Sequence, residues 1–386
     1  MRYTNQHEGI VHSSNLCTEI TLHTKASEYE KGEKTKIGET AVCNLGSVNL
    51  LNHLNEDNTF DYDKLKNTIH TAIRALDSVV DLNFYPTKEA SNSNLRNRPI
   101  GLGMMALHDV CHKMNINIDS DEAVKFNDEL FEFYSYHAIS ASSKLAKEKG
   151  KYETYEGSLW SCDKFPIDSY ADLMKYKGKE ASLGSILDWS EVRDHVSKYG
   201  MRNSNVMAIA PTATIGYING VEQSIEPNFS VLFVYENKSG NFFITNQHFI
   251  DDMKAAGLWS SEVARLVKSV DGDLSLLNGD IPASLKEKYK TAFDRDMFKL
   301  IECNSIRQKW IDQAVSFNLY NKSTSLKYLN DVYMSCWEEG LKTTYYLRNR
   351  AASKVEKAHT DDEKSSEASA CSIEAMKNGG TCESCQ

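Results

Sequence analysis

Apolar residues recur at helical spacing in five stretches of the chain, and the polar residues around them mark where each begins and ends. Leu65, Ile69, Ile73, Leu76 and Val80 follow Asp61-Tyr62-Asp63 and are bounded by Pro86, which predicts an amphipathic helix. Pro99 at a first turn and the glycines of Ile100-Gly101-Leu102-Gly103 lead into Met104, Met105, Leu107, Val110 and Met114, a pattern that reads as a closely packed, buried helix. Ser120 stands before Asp121 and Glu122 as an N-cap with an acidic first turn, and Phe126, Leu130, Phe133 and Tyr134 carry that helix toward Leu145, with an end expected near Gly150. Residues 297–317 (Leu300, Ile301, Ile306, Trp310, Ala314) and 326–340 predict two more, the last closing at Gly340, where a residue of left-handed conformation ends a helix.

Other stretches read as extended. Residues 205–211 form a short apolar run that stops at Pro211, which suits a buried strand emptying into a loop, and residues 316–320 and 343–347 are short β-like runs. Between Tyr152 and Ser190 the chain is punctuated by Gly157, Pro166, Gly178 and Gly184, so it is expected to wander over the surface with one short helix and no functional role. Helices and strands are mixed throughout, without an internal repeat. From Ala352 apolar residues thin out and Lys, Glu, Ser, Asp and Ala dominate, so the reading divides the chain into a folded unit over 1–351 and a flexible tail over 352–386.

Composition narrows the classes of partner. The 386 residues suffice for a large core, and a formal charge of −10 without any Lys/Arg block argues against a nucleic-acid surface. No apolar run approaches the roughly 18 residues of a membrane span, and the first ten residues lack the apolar centre of a signal peptide, so a cytoplasmic protein is expected. Nine cysteines are too sparse for a disulfide scaffold and are expected to be free thiols, any disulfide being catalytic.

Four places carry candidate chemistry. In Ser13-Ser14-Asn15-Leu16-Cys17-Thr18-Glu19, an extended backbone would put Asn15, Cys17 and Glu19 on one face, a thiol between an amide and a carboxylate; a plain strand with a buried Cys is the bland alternative. The loop Pro211-Thr212-Ala213-Thr214-Ile215 offers hydroxyls and backbone N–H groups able to cradle a phosphate, or simply a capped turn. Tyr345 and Tyr346 are adjacent aromatics, whose plain reading is as core or interface residues. Cys382-Glu383-Ser384-Cys385 can close as a redox disulfide on a tether, or with Cys371 and His359 supply zinc ligands at irregular spacing.

Taken in order, Asn15-Leu16-Cys17-Thr18-Glu19, residues 41–50 around Cys43, Pro99-Ile100-Gly101-Leu102-Gly103, Ala210-Pro211-Thr212-Ala213-Thr214, Ser224-Ile225-Glu226-Pro227, Thr344-Tyr345-Tyr346 and the terminal cysteines resemble the catalytic large subunit of class I ribonucleotide reductases, of which this chain looks like the C-terminal half. The resemblance implies the second half of a ten-stranded α/β barrel, with a finger loop at about residues 8–22. It implies that Cys17 is the thiyl radical site, Glu19 the base for the substrate 3′-hydroxyl, Asn15 its hydrogen-bonding partner, and Cys43 one of two reducing thiols, the other lying on an absent N-terminal half. Cys111, Cys162, Cys303 and Cys336 match no such position and are expected to be incidental.

By the same resemblance Tyr345 and Tyr346 relay the oxidising equivalent, Ser13, Ser14 and residues Pro211, Thr212, Ala213, Thr214 and Ile215 bind a ribonucleoside diphosphate, and Cys382 and Cys385 re-reduce the active-site disulfide with thioredoxin or glutaredoxin. The chain itself is expected to bind no metal or cofactor, a diiron-tyrosyl radical being supplied by the small subunit, and to be inert alone. The second hypothesis is a non-catalytic regulatory or zinc-binding interaction module derived from such a reductase.

Overall fold

The computed structural model describes residues 7, 9–182, 184, 186–237, 240–277, 279 and 281–349. The expected tail, with Cys371, Cys382, Cys385 and His359, lies outside them. In chain order the elements are a hairpin of β1 (Glu28–Glu30) and β2 (Glu33–Lys36), β3 (Asn44–Asn49), helices α1 (Tyr62–Leu82) and α2 (Lys88–Asn97), β4 (Ile100–Met105), and α3 (Leu107–Met114), α4 (Asp121–Lys149), α5 (Pro166–Tyr176), α6 (Ser190–Tyr199) and α7 (Ala213–Asn219). A hairpin of β5 (Leu232–Asn237) and β6 (Gly240–Thr245) follows, then α8 (Gln247–Ala255), α9 (Ser261–Ser269), α10 (Ala283–Lys288), α11 (Met297–Trp310), β7 (Leu319–Asn321), α12 (Leu326–Glu338) and β8 (Leu347–Asn349).

Five extended segments run parallel through the centre. β3 pairs with β4 from Asn44↔Ile100 to Asn49↔Met105. Ile100 and Leu102 donate N–H bonds to the carbonyls of Asn205 and Val206, so the buried run 205–209 lies along β4, as its apolar sequence predicts. Ile209 in turn bridges Val315, whose extended segment runs on into β7 as the fourth, and β7 pairs in parallel with the fifth, β8. An α/β fold is therefore present, with helices covering the strands, as parallel pairing requires.

β4 shows why the sequence misleads here. Its six residues are all buried, because strands flank it on both edges and helices cover it, so Met104 and Met105 belong to a strand and not to the expected helix, which begins only at Leu107. The glycines are there for space: a Cβ on Gly101 would lie 2.5 Å from Leu45 Cδ2 and 2.9 Å from Ala208 Cβ, and one on Gly103 would lie 2.6 Å from the Ala208 carbonyl. The long pattern from Met297 is likewise cut at Trp310, beyond which residues 311–317 run extended beside 205–209.

The periodic helices form where expected. α1 buries Leu65, Ile69, Ile73, Leu76 and Val80, each worth about 1.5–3 kcal/mol on removal from water, and Asp61 accepts the Lys64 N–H as its cap. α4 starts with Ser120 capping Ala123 and stops at Gly150, and α12 is followed by Gly340 at φ +80°. Asp77, wholly buried on α1, accepts hydrogen bonds from Arg98, Lys149, Arg202 and Asn203, tying α1, the approach to β4, the end of α4 and the approach to residues 205–209. A second, smaller core of Val231, Phe249, Met253, Val267, Leu274, Leu277, Ile281 and Tyr289 belongs to α8–α10 and the segments around them.

Candidate functional site

The segment carrying Cys17 is a turn. Thr18 takes a left-handed φ of 67° and its N–H bonds the Asn15 carbonyl at 3.1 Å, so the extended backbone expected for residues 13–19 is corrected. The turn nonetheless gathers the same side chains: Asn15 Nδ2 donates to Glu19 Oε2 at 2.9 Å, and Asn15 Oδ1 accepts the Ile20 N–H. Ser14 donates to the Ile20 carbonyl at 2.7 Å, while Ser13 stays exposed. Glu19 is only 2 % exposed, so a carboxylate is held on the turn that carries Cys17 with little water around it.

Residues 313–316 grip this turn from below. The Glu19 carbonyl accepts the Ala314 N–H, and the Ser316 hydroxyl lies 2.6 Å from the Cys17 carbonyl and 3.1 Å from Glu19 Oε2. Thr18 Oγ1 donates to the Thr344 carbonyl, which brings the next two residues over the thiol. The Cys17 thiol donates to the Tyr345 hydroxyl oxygen at 3.4 Å, and the rings of Tyr345 and Tyr346 stack with centroids 3.9 Å apart. Burial, and then the hydrogen bonds with Cys17 and Tyr346, push the Tyr345 phenol well above its ordinary value, so the ring keeps its proton at neutral pH. The tyrosines sit on the strand-like end expected for them: Tyr345 donates its N–H to the Phe317 carbonyl, and the Tyr346 carbonyl accepts that of Leu319.

Cys43 precedes β3. Its sulfur accepts from Gln313 Nε2 at 3.5 Å, and burial pushes the thiol up to about 12. Cys17 and Cys43 are both half-buried free thiols; Cys111, Cys303 and Cys336 are buried free thiols, and Cys162 is exposed at the surface. The loop Pro211–Ile215 leaves the end of the 205–209 segment, one strand away from Ser316. Thr212 has a left-handed φ of 50°, and its hydroxyl accepts the Ser224 N–H at 2.8 Å, so it shapes the loop; Ala213, Thr214 and Ile215 are exposed in the first turn of α7, where N–H groups lack intrahelical partners.

Three residues to which the sequence reading gave no role shape the site. Ser316 and Gln313 are described above, and Glu226 accepts the Asn318 N–H and the Tyr320 hydroxyl just behind the tyrosine strand, its carboxyl raised by burial. The available signal was Asp312-Gln313 inside the apolar run Ile311 to Val315, since buried polar residues in such a run need partners. Asp312 finds them in the N–H groups of Val206 and Met207. Among the described residues no group of three or more His, Cys, Asp or Glu side chains is arranged to hold a metal ion, and no helix is long and apolar enough to cross a membrane.

With this geometry in place, comparison with known proteins is informative. A family model described as the barrel domain of ribonucleotide reductase matches residues 2–347. The chain is 49 % identical over 364 residues to the ribonucleoside-diphosphate reductase subunit alpha of Chlamydia pneumoniae, covering 94 % of this chain and 34 % of that protein. It is 35 % identical over 346 residues to the large chain of Encephalitozoon cuniculi and 34 % identical over the same length to the large subunit of Danio rerio, covering 89 % of this chain and 42 % and 41 % of those proteins. It thus spans between about a third and two fifths of these relatives.

Proposed function

Because the chain belongs to the ribonucleotide reductase barrel-domain family, we propose that it is the C-terminal part of the catalytic large subunit of a ribonucleoside-diphosphate reductase, acting with a complementary N-terminal part and a radical-generating small subunit. The observation that carries this reading is the continuous contact from Tyr346 through Tyr345 to the Cys17 thiol, with a buried carboxylate fixed on the same turn. In this reading residues 8–22 are the finger loop, and the five parallel segments are half of a ten-stranded barrel.

The chemistry follows from the placement. An oxidising equivalent from the small subunit reaches Tyr346, passes to Tyr345, and Tyr345 regains its hydrogen from the Cys17 thiol that it already contacts. The Cys17 thiyl then takes the 3′-hydrogen of the ribose: a C–H bond breaks and an S–H bond forms. Glu19, gripped at Oε2 by Asn15, accepts the 3′-hydroxyl proton on its other oxygen, and the 2′-oxygen leaves as water. Of the two hydrogens that Cys43 and a thiol of the N-terminal part supply, one departs with the 2′-oxygen as water and the other goes to C2′, the pair giving up two electrons and ending as a disulfide; Glu19 returns its proton to the 3′-oxygen and Cys17 its hydrogen to C3′. The substrate diphosphate rests on the N–H groups and hydroxyls of Pro211–Ile215, with Ser13 and Ser14 beside it. Cys382 and Cys385 re-reduce the disulfide and are served by thioredoxin or glutaredoxin.

Mixing the chain with an N-terminal part and a diiron-type small subunit should convert ribonucleoside diphosphates to their deoxy forms, and Cys17→Ser should abolish conversion. Turnover by the isolated chain, or by the Cys17→Ser mixture, would sink the reading. Inactivity of the wild-type mixture together with stoichiometric bound zinc would favour an interaction module instead.

A further inference from the structure

We propose that Gln313 is a positioning residue for the Cys43 sulfur, its one side-chain amide fixing the thiol and keying it to the turn that carries Cys17. The inference rests on reading Cys43 as a reducing thiol. Gln313 is fully buried, and each end of its amide is committed: Oε1 accepts the Thr21 N–H at 3.3 Å, two residues beyond Glu19, while Nε2 reaches the Ile100 carbonyl at 3.1 Å and Cys43 Sγ at 3.5 Å. The two N–H hydrogens suffice for two acceptors. The backbone is pinned as well, since the Gln313 N–H bonds the Met207 carbonyl and its own carbonyl accepts Lys342 Nζ at 2.6 Å. The amide therefore has no second place to go.

The β4 backbone, which the amide also reaches, crowds the sulfur: a Cβ on Gly101 would come within 3.1 Å of Cys43 Sγ. The sulfur is thus held by a donor and confined by a glycine. A neutral amide suits a thiol that must cycle. When another thiolate attacks the partner sulfur of a Cys43 disulfide, a new S–S bond forms there, the old one breaks, and the electron pair departs on Cys43. Burial alone disfavours that thiolate, and the Gln313 N–H opposes burial without the permanent charge of an ammonium. A contact from the same amide to Thr21 means that the reducing thiol and the Cys17 turn share one support.

The test reads thiol chemistry separately from turnover. In the whole chain, carbamidomethylation of each cysteine by iodoacetamide is followed against pH by peptide mapping. Gln313→Met keeps the volume and removes the donor; Gln313→Glu keeps the shape and replaces the donor with an acceptor. In either variant that retains the wild-type circular dichroism, Cys43 is expected to react about tenfold more slowly at pH 8.5, equivalent to about one unit in the thiol pKa, while Cys17, whose turn keeps its bonds to Ala314, Ser316 and Thr344, changes less. An unchanged Cys43 profile, or equal changes at Cys17 and Cys43, would overturn the assignment.

If neither variant folds, the chain labelled with 15N at glutamine decides. Cys43→Ser should shift the Gln313 side-chain amide resonances and leave the other glutamines in place; unmoved Gln313 resonances would count against the contact. Turnover by the reconstituted enzyme carrying Cys43→Ser is the separate test of the underlying reading, because retained turnover would remove Cys43 from the reducing pair whatever the amide does.

Discussion

At the scale of single residues, the site is a set of short polar contacts on one turn. Ser316 is the clearest test, because its hydroxyl touches the backbone of the thiol residue and the carboxylate together. Ser316→Ala should lower kcat of the reconstituted enzyme by about 100-fold while leaving KM nearly unchanged, since a small misplacement of reacting groups costs rate more than binding. Equal kcat values would free Ser316 of any role. Glu19→Gln keeps the contact with Asn15 but removes the proposed base, and a loss of about 10²–10⁴ in kcat is expected, read by single-turnover reduction. The grouping of Asn15, Cys17 and Glu19 was legible from adjacency, but the reason was not. Alternation along a strand would align them, whereas the fold brings Asn15 to Glu19 around a turn with a left-handed Thr18, a conformation that nothing in the identity of a threonine announces, and sends the Cys17 thiol to Tyr345. Gln313 and Ser316 were harder still, because their partners lie about three hundred positions away.

Among the elements, the long amphipathic helices were read correctly because one side of each faces water. α1 shows a strict apolar stripe, and both α1 and α4 carry a side-chain cap. β4 was misread because it is enclosed on every side, so no position had to be polar and no period survived to tell a strand from a helix. The β5–β6 hairpin and the small core beside it went unread, built as they are from elements too short to show a period. Asp77 binds several elements at once, and Asp77→Ala should cost about 3–5 kcal/mol in urea unfolding, because Arg98 would stay buried with only Asp81 as its partner carboxylate. A loss below about 1 kcal/mol would show that water or a side-chain shift replaces the contact.

For the molecule as a whole, buried neutral histidines set a limit on acid stability. Burial lowers His7 to about 3 and His70 and His137 to about 4, and holds His108 and His112 well below their ordinary value. Unfolding restores an ordinary value near 6.5, so between that pH and the folded values the unfolded chain binds more protons. The contribution is complete above about pH 6.5 and is lost as the pH falls below it. The carboxyls of Glu222, Glu226 and Asp312, raised by burial, favour the fold as the pH falls, but the five histidines outnumber them, so the melting temperature should drop from pH 7 to pH 4, and a flat profile over that range would contradict the buried, neutral state. The outer edges of the parallel array are a second property of the whole. Among the described residues β3 and β8 each pair on one side only, so the isolated chain should self-associate in light scattering and become monodisperse when its complement is added.

The contact between Cys17 and Tyr345 also bears on the order of events during synthesis. A thiol near residue 17 meets its phenol only across 328 positions of chain, and closing so wide a loop is slow compared with forming the helices between. While the ribosome is still adding those helices, the thiol has no tyrosine to exchange a hydrogen with. If Cys17 is the radical site proposed above, a half-translated product carries an ordinary cysteine there, and the relay is complete only when the last strand brings Tyr345 to the thiol.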